Sequence, residues 1–376
     1  MLRPRLRSRR IPGTWVTLVG VNRLPFALPV CRLVVALLFA ASCRQAPPPT
    51  LRWTLAPDSA VKTDDAVLLA RIGRALDAAE HAGTDPSISK FQVRTATVVA
   101  AGGEEHVVVG GNTEYGLPEA VHGEVSVTNH VIARFGAAAS RDMRFIAFYS
   151  QSCGDSRGCG DCRDYLRAAT EYASLLFVCG RASDHTMHIR RFSDGLVDEA
   201  VFPDVTPDTT GLPRADLEKL LEAATTARTG GVTLFTDPDA QVAAAAITST
   251  ARIYRAAGAD DAAFHYRFPV GGVLQQAATE RDYFVRAVLV AGSGGQWPQV
   301  TYRDRQYGFE TSTFATSRGL PPTLLILSNG QGGLKATTFE AALPHPFSVA
   351  RFNPEAIERF LTRTGVAPDA ASRAAP

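Results

Sequence analysis

No cysteine follows Cys179, so the second half of this 376-residue chain cannot build a thiolate metal site. Charge is equally thin. The net charge is +2 and no basic cluster occurs outside the N-terminus, which gives no footing for nucleic acid as a partner. The apolar run at residues 33–41 is too short to cross a bilayer. The six cysteines, three of them between Cys153 and Cys162, lack the look of a disulfide framework. They read instead as metal binding in a reducing compartment.

Length is a prior of two to three domains, and 45% hydrophobic with 20% charged residues is an ordinary globular composition. Residues 1–48 differ in kind. Arg3, Arg5, Arg7, Arg9 and Arg10 precede the short apolar run, which ends at Ala41-Ser42-Cys43 before Pro47-Pro48-Pro49. This pattern resembles a signal peptide with a bacterial lipoprotein cleavage site at Cys43; the alternatives are a disordered basic leader or an upstream mis-start. Free metal thiolates favour the cytoplasm, and membrane attachment enters only if Cys43 is lipidated.

Folded sequence is expected from Thr63 onward. Asp64 or Thr63 caps a helix whose Leu68, Ile72 and Leu76 form one stripe, ended by Gly83. Alternation from Phe91 to Val99 predicts a strand, with 106–109 as its hairpin partner. A loop with Asn112 and Glu114, a helix from His122, a strand at 144–149, a cysteine-bearing helix and a strand at 175–179 follow. That order predicts a three-layer α/β/α sandwich.

The chemistry concentrates at His122-Gly123-Glu124 and Cys159-Gly160-Asp161-Cys162. Val121, Val125, Ile132 and Phe135 keep helical spacing and Gly136 stops the run, which puts His122 and Glu124 in a first helical turn. Cys159, Cys162 and Leu166 recur at i, i+3 and i+7, so both thiols share one face near a helix N-terminus, where thiolates are favoured. Two thiolates and an imidazole leave a tetrahedral zinc with an open fourth position. Zinc lowers the pKa of water there to about 7, and Glu124 can move protons without being a ligand. The competing reading is a closed structural zinc with Cys153 as fourth ligand.

Residues 89–172 resemble cytidine deaminase, through a phenylalanine-bearing first strand, an Asn-x-Glu loop, a His-x-Glu helix start and a Cys-Gly-x-Cys-Arg helix start. The resemblance implies that His122, Cys159 and Cys162 hold zinc and that Glu124 is the general acid/base. It further implies that Phe91 packs on the pyrimidine, that Asn112 and Glu114 bind the ribose hydroxyls, and that the Gly123 amide meets the base carbonyl. His106, His130 and the remaining histidines match nothing and read as packed or surface residues. Gly158 stands where the family has proline, and the loop from Gln151 is long, which bears on which base is read.

The second half repeats these signals. A helix from Pro213, strands through Val242 to Ala246 and Arg252 to Arg255, and Gly271-Gly272-Val273 in the place of His122-Gly123-Glu124 are followed by stretches at 284–290 and 323–327. Residues 302–310 replace the Cys-x-x-Cys. Leu343-Pro344-His345-Pro346-Phe347 resembles the segment that closes such domains, with Val201-Phe202-Pro203 its weaker trace. The arrangement is similar to the larger cytidine deaminases, a catalytic domain at 49–205 followed by a zinc-free copy at 206–376. It implies one Zn2+ per chain, a homodimer, and deamination of cytidine or deoxycytidine by zinc-bound hydroxide in pyrimidine salvage. The alternatives are deamination of another aminopyrimidine nucleoside or nucleoside antibiotic, and a non-catalytic zinc-stabilised scaffold.

Overall fold

The computed structural model describes residues 52–362, apart from 115–119, 151–152, 156, 232–240, 261–265, 349–354, 356–357 and 361. The leader and Cys43 lie outside the described residues. In chain order the first half contains β1 (Thr54–Leu55), α1 (Ala66–Glu80), β2 (Arg94–Ala101), β3 (Glu104–Gly111), β4 (Thr113–Glu114) and β5 (Ala120–Val121). It continues with α2 (Gly123–Phe135), α3 (Ala137–Arg141), β6 (Phe145–Ser150), α4 (Gly160–Ala169), β7 (Leu176–Arg181) and β8 (Thr186–Arg191). The second half contains β9 (Asp204–Val205), α5 (Arg214–Arg228), β10 (Ala243–Thr248), β11 (Ile253–Ala257), β12 (Ala259–Asp260) and β13 (Tyr266–Arg267). It ends with α6 (Pro269–Thr279), β14 (Val285–Ala291), α7 (Tyr302–Thr316), β15 (Leu324–Ser328), β16 (Leu334–Thr338) and α8 (Phe339–Ala342).

The first sheet has strand order β1-β8-β7-β6-β2-β3, and the second β9-β16-β15-β14-β10-β11. In each, a hairpin (β2–β3, β10–β11) lies beside a parallel pair (β6–β7, β14–β15). The two sheets therefore share one topology over five strands, and differ at the sixth, where β1 runs parallel to β8 but β9 antiparallel to β16. Side-chain alternation feeds two cores per sheet: Ala96, Val98, Phe145, Ala147 and Val178 pack under α1, whereas Val99, Ile146 and Phe177 pack under α2 and α4. A strand buried on both faces reads as a continuous apolar run, and β10, Ala-Ala-Ala-Ala-Ile-Thr, is buried at every position. These layers are the expected α/β/α sandwich.

The helix starts follow their caps. Asp65, not Asp64 or Thr63, caps α1, its carboxylate accepting from the Val67 and Leu68 amides at 3.0 Å. Ile72, Ala75, Leu76 and Ala79 then sit fully buried on one stripe. Ordered structure starts earlier than Thr63. Trp53 is buried and β1 pairs in parallel with β8, a strand that was not expected. Phe91 and Val93 precede β2, which begins at Arg94.

The two halves meet through their corresponding helix N-termini. The Tyr302 and Arg303 amides, at the start of α7, donate to the Asp164 carboxylate of α4 at 3.0 and 2.9 Å. A side chain at Gly160 would place its Cβ 2.1 Å from the Tyr302 carbonyl oxygen, so only glycine permits this approach. The chain crosses between halves gradually: Phe192 and Leu196 pack in the first core, Val197 and Phe202 in the second.

Candidate active site

His122 is the N-cap of α2 and Cys159 the N-cap of α4, so two helix starts point their first residues at one another. His122 Nδ1 lies 3.0 Å from Cys159 Sγ and 3.1 Å from Cys162 Sγ, and the two sulfurs are 3.4 Å apart. This is a group of metal-ligating type among the described residues, with Cys162 buried. Cys159 is held well below the usual thiol range, chiefly by sharing the Cys162 proton, with His122 adding to the effect. Cys162 is pushed up by that same partner and by burial. Hydrogen bonding to Cys159 outweighs desolvation at His122 and pushes it up to about 9. Three soft-to-borderline donors in one small cluster, one of them a thiol whose pKa is lowered, fit a tetrahedral zinc with one position left to fill.

Glu124 lies in the first turn of α2, 8% exposed. Burial raises its carboxyl pKa, and the Cys159 charge adds to that. Gly158 has φ of +85°, which proline cannot adopt, and a Cβ there would stand 3.3 Å from Cys162 Cβ and 3.4 Å from Glu124 Oε1. The departure from proline therefore follows from the turn that brings the loop against Glu124. Gly123 is also constrained: a Cβ would meet Val93 and Thr95 within 3.0 Å, and its carbonyl accepts from Thr95 Oγ1 at 2.8 Å.

A cavity of about 220 Å³ opens beside this cluster, lined by Glu124, Phe91, Val93, Gly158, Phe177 and Phe347 among others. Phe91 and Phe347 are ring neighbours, 5.7 Å between centroids. The second half thus completes the wall of a cavity built by the first. Asn112 and Glu114 do not line it. Asn112 accepts from the Val93 amide at 2.8 Å and donates to the Phe91 carbonyl at 2.7 Å. Glu114 accepts from the Ile88 and Ser89 amides at 2.7 Å. Both side chains pin the segment that presents Phe91.

Two cysteine expectations fail. Cys153 and Cys179 form a disulfide with Cα atoms 5.7 Å apart, so the cysteines are not all metal-binding thiols and Cys153 is not a fourth metal ligand. The pairing closes when β7 brings Cys179 beneath the loop that follows β6. The histidines are likewise not all bystanders. His188 lines the cavity, and His345 Nδ1 contacts Asp155 Oδ2 at 2.5 Å. The alternation Met187, Ile189 against His188, Arg190 was the available signal for β8, masked by its short, charged ends.

In the second half α7 starts at an N-cap Thr301, the counterpart of Cys159, which makes Asp304 the counterpart of Cys162. Asp304 accepts from the Gly271 amide at 2.9 Å, and burial pushes it up to about 7. A helix-to-helix hydrogen bond stands where the first half gathers sulfur. The counterpart of His122 by helix start is Phe268, N-cap of α6, not Gly271.

No protein-family model matches the chain, and no curated protein matches it either. Among solved structures the chain is similar to a cytidine deaminase from Burkholderia pseudomallei, 22% identical over 35% of this chain and 98% of that one, TM-score 0.30. It is also similar to cytidine deaminases from Mycobacterium tuberculosis (25%, 36% and 97%, TM-score 0.25) and Mycobacterium leprae (17%, 36% and 100%, TM-score 0.26). TM-scores of this size carry no weight for the site, whose reading rests on the geometry above.

Proposed function

We propose that the chain hydrolyses the exocyclic amine of cytidine or deoxycytidine, giving the uridine product and ammonia. One observation carries this reading: a buried carboxyl, Glu124, opens into an aromatic-walled cavity directly beside the His122, Cys159 and Cys162 donor set. Those three residues would hold one zinc, which when bound acts as a Lewis acid and lowers the pKa of a water molecule. Glu124 would take one proton from an attacking water as its oxygen bonds to C4 of the pyrimidine and pass it to N3, then take the second from the resulting C4 hydroxyl and pass it to the amine as the C4–N bond breaks. A carboxyl whose pKa burial has raised suits both directions of transfer. Phe91 and Phe347 provide apolar faces for a planar base and exclude bulk water. The closed structural reading needs a fourth protein ligand, and Cys153 is committed to its disulfide. Ammonia release by purified protein from a panel of cytidine, deoxycytidine and modified aminopyrimidine nucleosides tests the proposal. Silence across the panel ends it.

One zinc per chain belongs to the same reading, because the second half offers Thr301 and Asp304 in place of thiols. Metal analysis should find one tightly held zinc, and two would remove the zinc-free-copy interpretation. Binding must displace protons from His122, at about 9, and from Cys162, raised above the usual range. Both groups hold protons at neutral pH in the metal-free chain. Affinity should therefore rise with pH, by about tenfold per pH unit for each proton displaced. Chelator competition at pH 6 and pH 8 reads this, and equal affinity at both would contradict the ligand set.

The disulfide also alters the expected compartment. Structural disulfides persist where the surroundings are oxidising, which favours the exported reading over the cytoplasmic one. No helix among the described residues is long and apolar enough to cross a membrane. Labelled fatty acid incorporated into the full chain, and lost in Cys43→Ser, would support anchoring by a lipid at Cys43. A homodimer remains part of the proposal through the family resemblance and is read by sedimentation.

A further inference from the structure

The cavity does not end at Glu124. Thr95, Phe148, Cys179 and His188 are successive cross-strand partners on β2, β6, β7 and β8, so they share one face of the sheet. At roughly 4.8 Å per strand step the backbone of His188 lies about 14 Å from that of Thr95, which supports Gly123 next to Glu124. Arg190 follows two residues later on the same face, and both residues line the cavity.

His188 is 5% exposed, and neither ring nitrogen makes a hydrogen bond among the described residues. Asp58 Oδ1 approaches Nδ1 at 3.3 Å without hydrogen-bond geometry, and Asp58 itself faces solvent. A buried imidazole without a partner is costly, which marks a position built for something that arrives. Arg190 supplies the charge. Its Nε lies 3.3 Å from Asp155 Oδ1, but that carboxylate is also the ion-pair partner of Arg157 at 3.2 Å and of His345 at 2.5 Å. At this end of the cavity two guanidiniums share the one Asp155 carboxylate, while the solvent-facing Asp58 is the acid beside His188.

We propose that His188 and Arg190 form a subsite for an anionic oxygen group, a phosphate or a carboxylate, carried by the substrate away from its reacting amine. The inference rests on the cavity being the reaction site. An imidazole N–H and a guanidinium fork match two oxygens of such a group. An anion arriving there would give the His188 ring the hydrogen bond it lacks among the described residues, and would give Arg190, which donates to the Gly154 carbonyl and shares Asp155 with Arg157, an acceptor of its own.

The test uses the metal-loaded full chain carrying Glu124→Gln, so that bound ligand is not consumed, and measures calorimetric affinity for three compounds. These are cytidine, cytidine 5′-monophosphate and the 5′-carboxylate analogue of cytidine. At least one anionic compound should bind about tenfold or more tighter than cytidine, the size expected of a charge-assisted contact. Which of the two is preferred identifies the group. Arg190→Gln and His188→Phe should each reduce that ratio to about twofold or less, whatever each does to the affinity for cytidine itself. Arg190→Lys should keep part of the ratio. Equal affinity for all three compounds, no binding of any, or a preference that survives both substitutions overturns the proposal. If the Arg190 variants fail to fold, His188→Phe alone decides. Ammonia release by the unsubstituted chain is followed in parallel. Anion preference without ammonia leaves the subsite standing and removes the deaminase reading, whereas ammonia from cytidine without anion preference does the reverse.

Discussion

Glu124→Gln is expected to keep its metal and its fold and to lose at least about 10²- to 10⁴-fold in turnover, the range for one general acid/base. The loss should exceed that range if the same carboxyl serves several transfers. Glutamine has nearly the same shape, and Glu124 is not among the three clustered donors, so neither packing nor coordination is disturbed. Cys153→Ser gives the contrasting pattern. It should retain the metal, because Cys153 is bonded to Cys179 and not to the cluster. Its effect should fall on substrate affinity, since Cys179 and Gly154 both line the cavity and the disulfide ties one to the loop of the other. Zinc content and turnover on these two variants separate a catalytic metal from a structural one. Full activity in Glu124→Gln would end the deaminase reading.

Arg163→Met is expected to destabilise the fold by about 3 kcal/mol or more, because several buried carbonyls lose a charged donor at once. Arg163 is fully buried, and desolvation pushes it down to about 10, which still leaves it charged at neutral pH. Its guanidinium donates to the carbonyls of Gly158 at 3.0 Å, Gly195 at 2.6 Å and His345 at 2.6 Å. These lie on the loop against Glu124, on the crossing between halves and on the closing segment. Lysine cannot replace a planar fork that reaches three acceptors, so Arg163→Lys should rescue little. The urea midpoint measures the loss, with the exposed Arg214→Met as control, expected within about 0.5 kcal/mol of the parent. An Arg163 variant as stable as that control would mean the three carbonyls find other donors.

The parts of the site that were legible in the sequence are those fixed by local rules. Both helix starts, at His122 and Cys159, follow from stripe spacing and a terminating signal, and local backbone geometry alone directs their side chains. Most strands and helices of each half were legible for the same reason, whereas reading the second half as a copy of the first rested on the family resemblance. What escaped depends on contacts made across the sheet. β8 is identified by its pairing with β7, and only that pairing puts His188 beside Cys179. The disulfide needs the β6–β7 register before its two cysteines come within reach. Asn112 was legible as a residue of interest, yet its partners, the Phe91 carbonyl and Val93 amide, are set by a hairpin register that no short motif encodes.

Phe347 and Ser348 reach the cavity from the second half of the same polypeptide that supplies Glu124. A wall delivered by a separate subunit is lost on dilution, because its occupancy follows mass action. A wall delivered by a covalent tether sits at a roughly millimolar effective concentration however dilute the protein becomes. Specific activity should therefore stay level as the protein is diluted into the low nanomolar range, where a cavity assembled between chains would open.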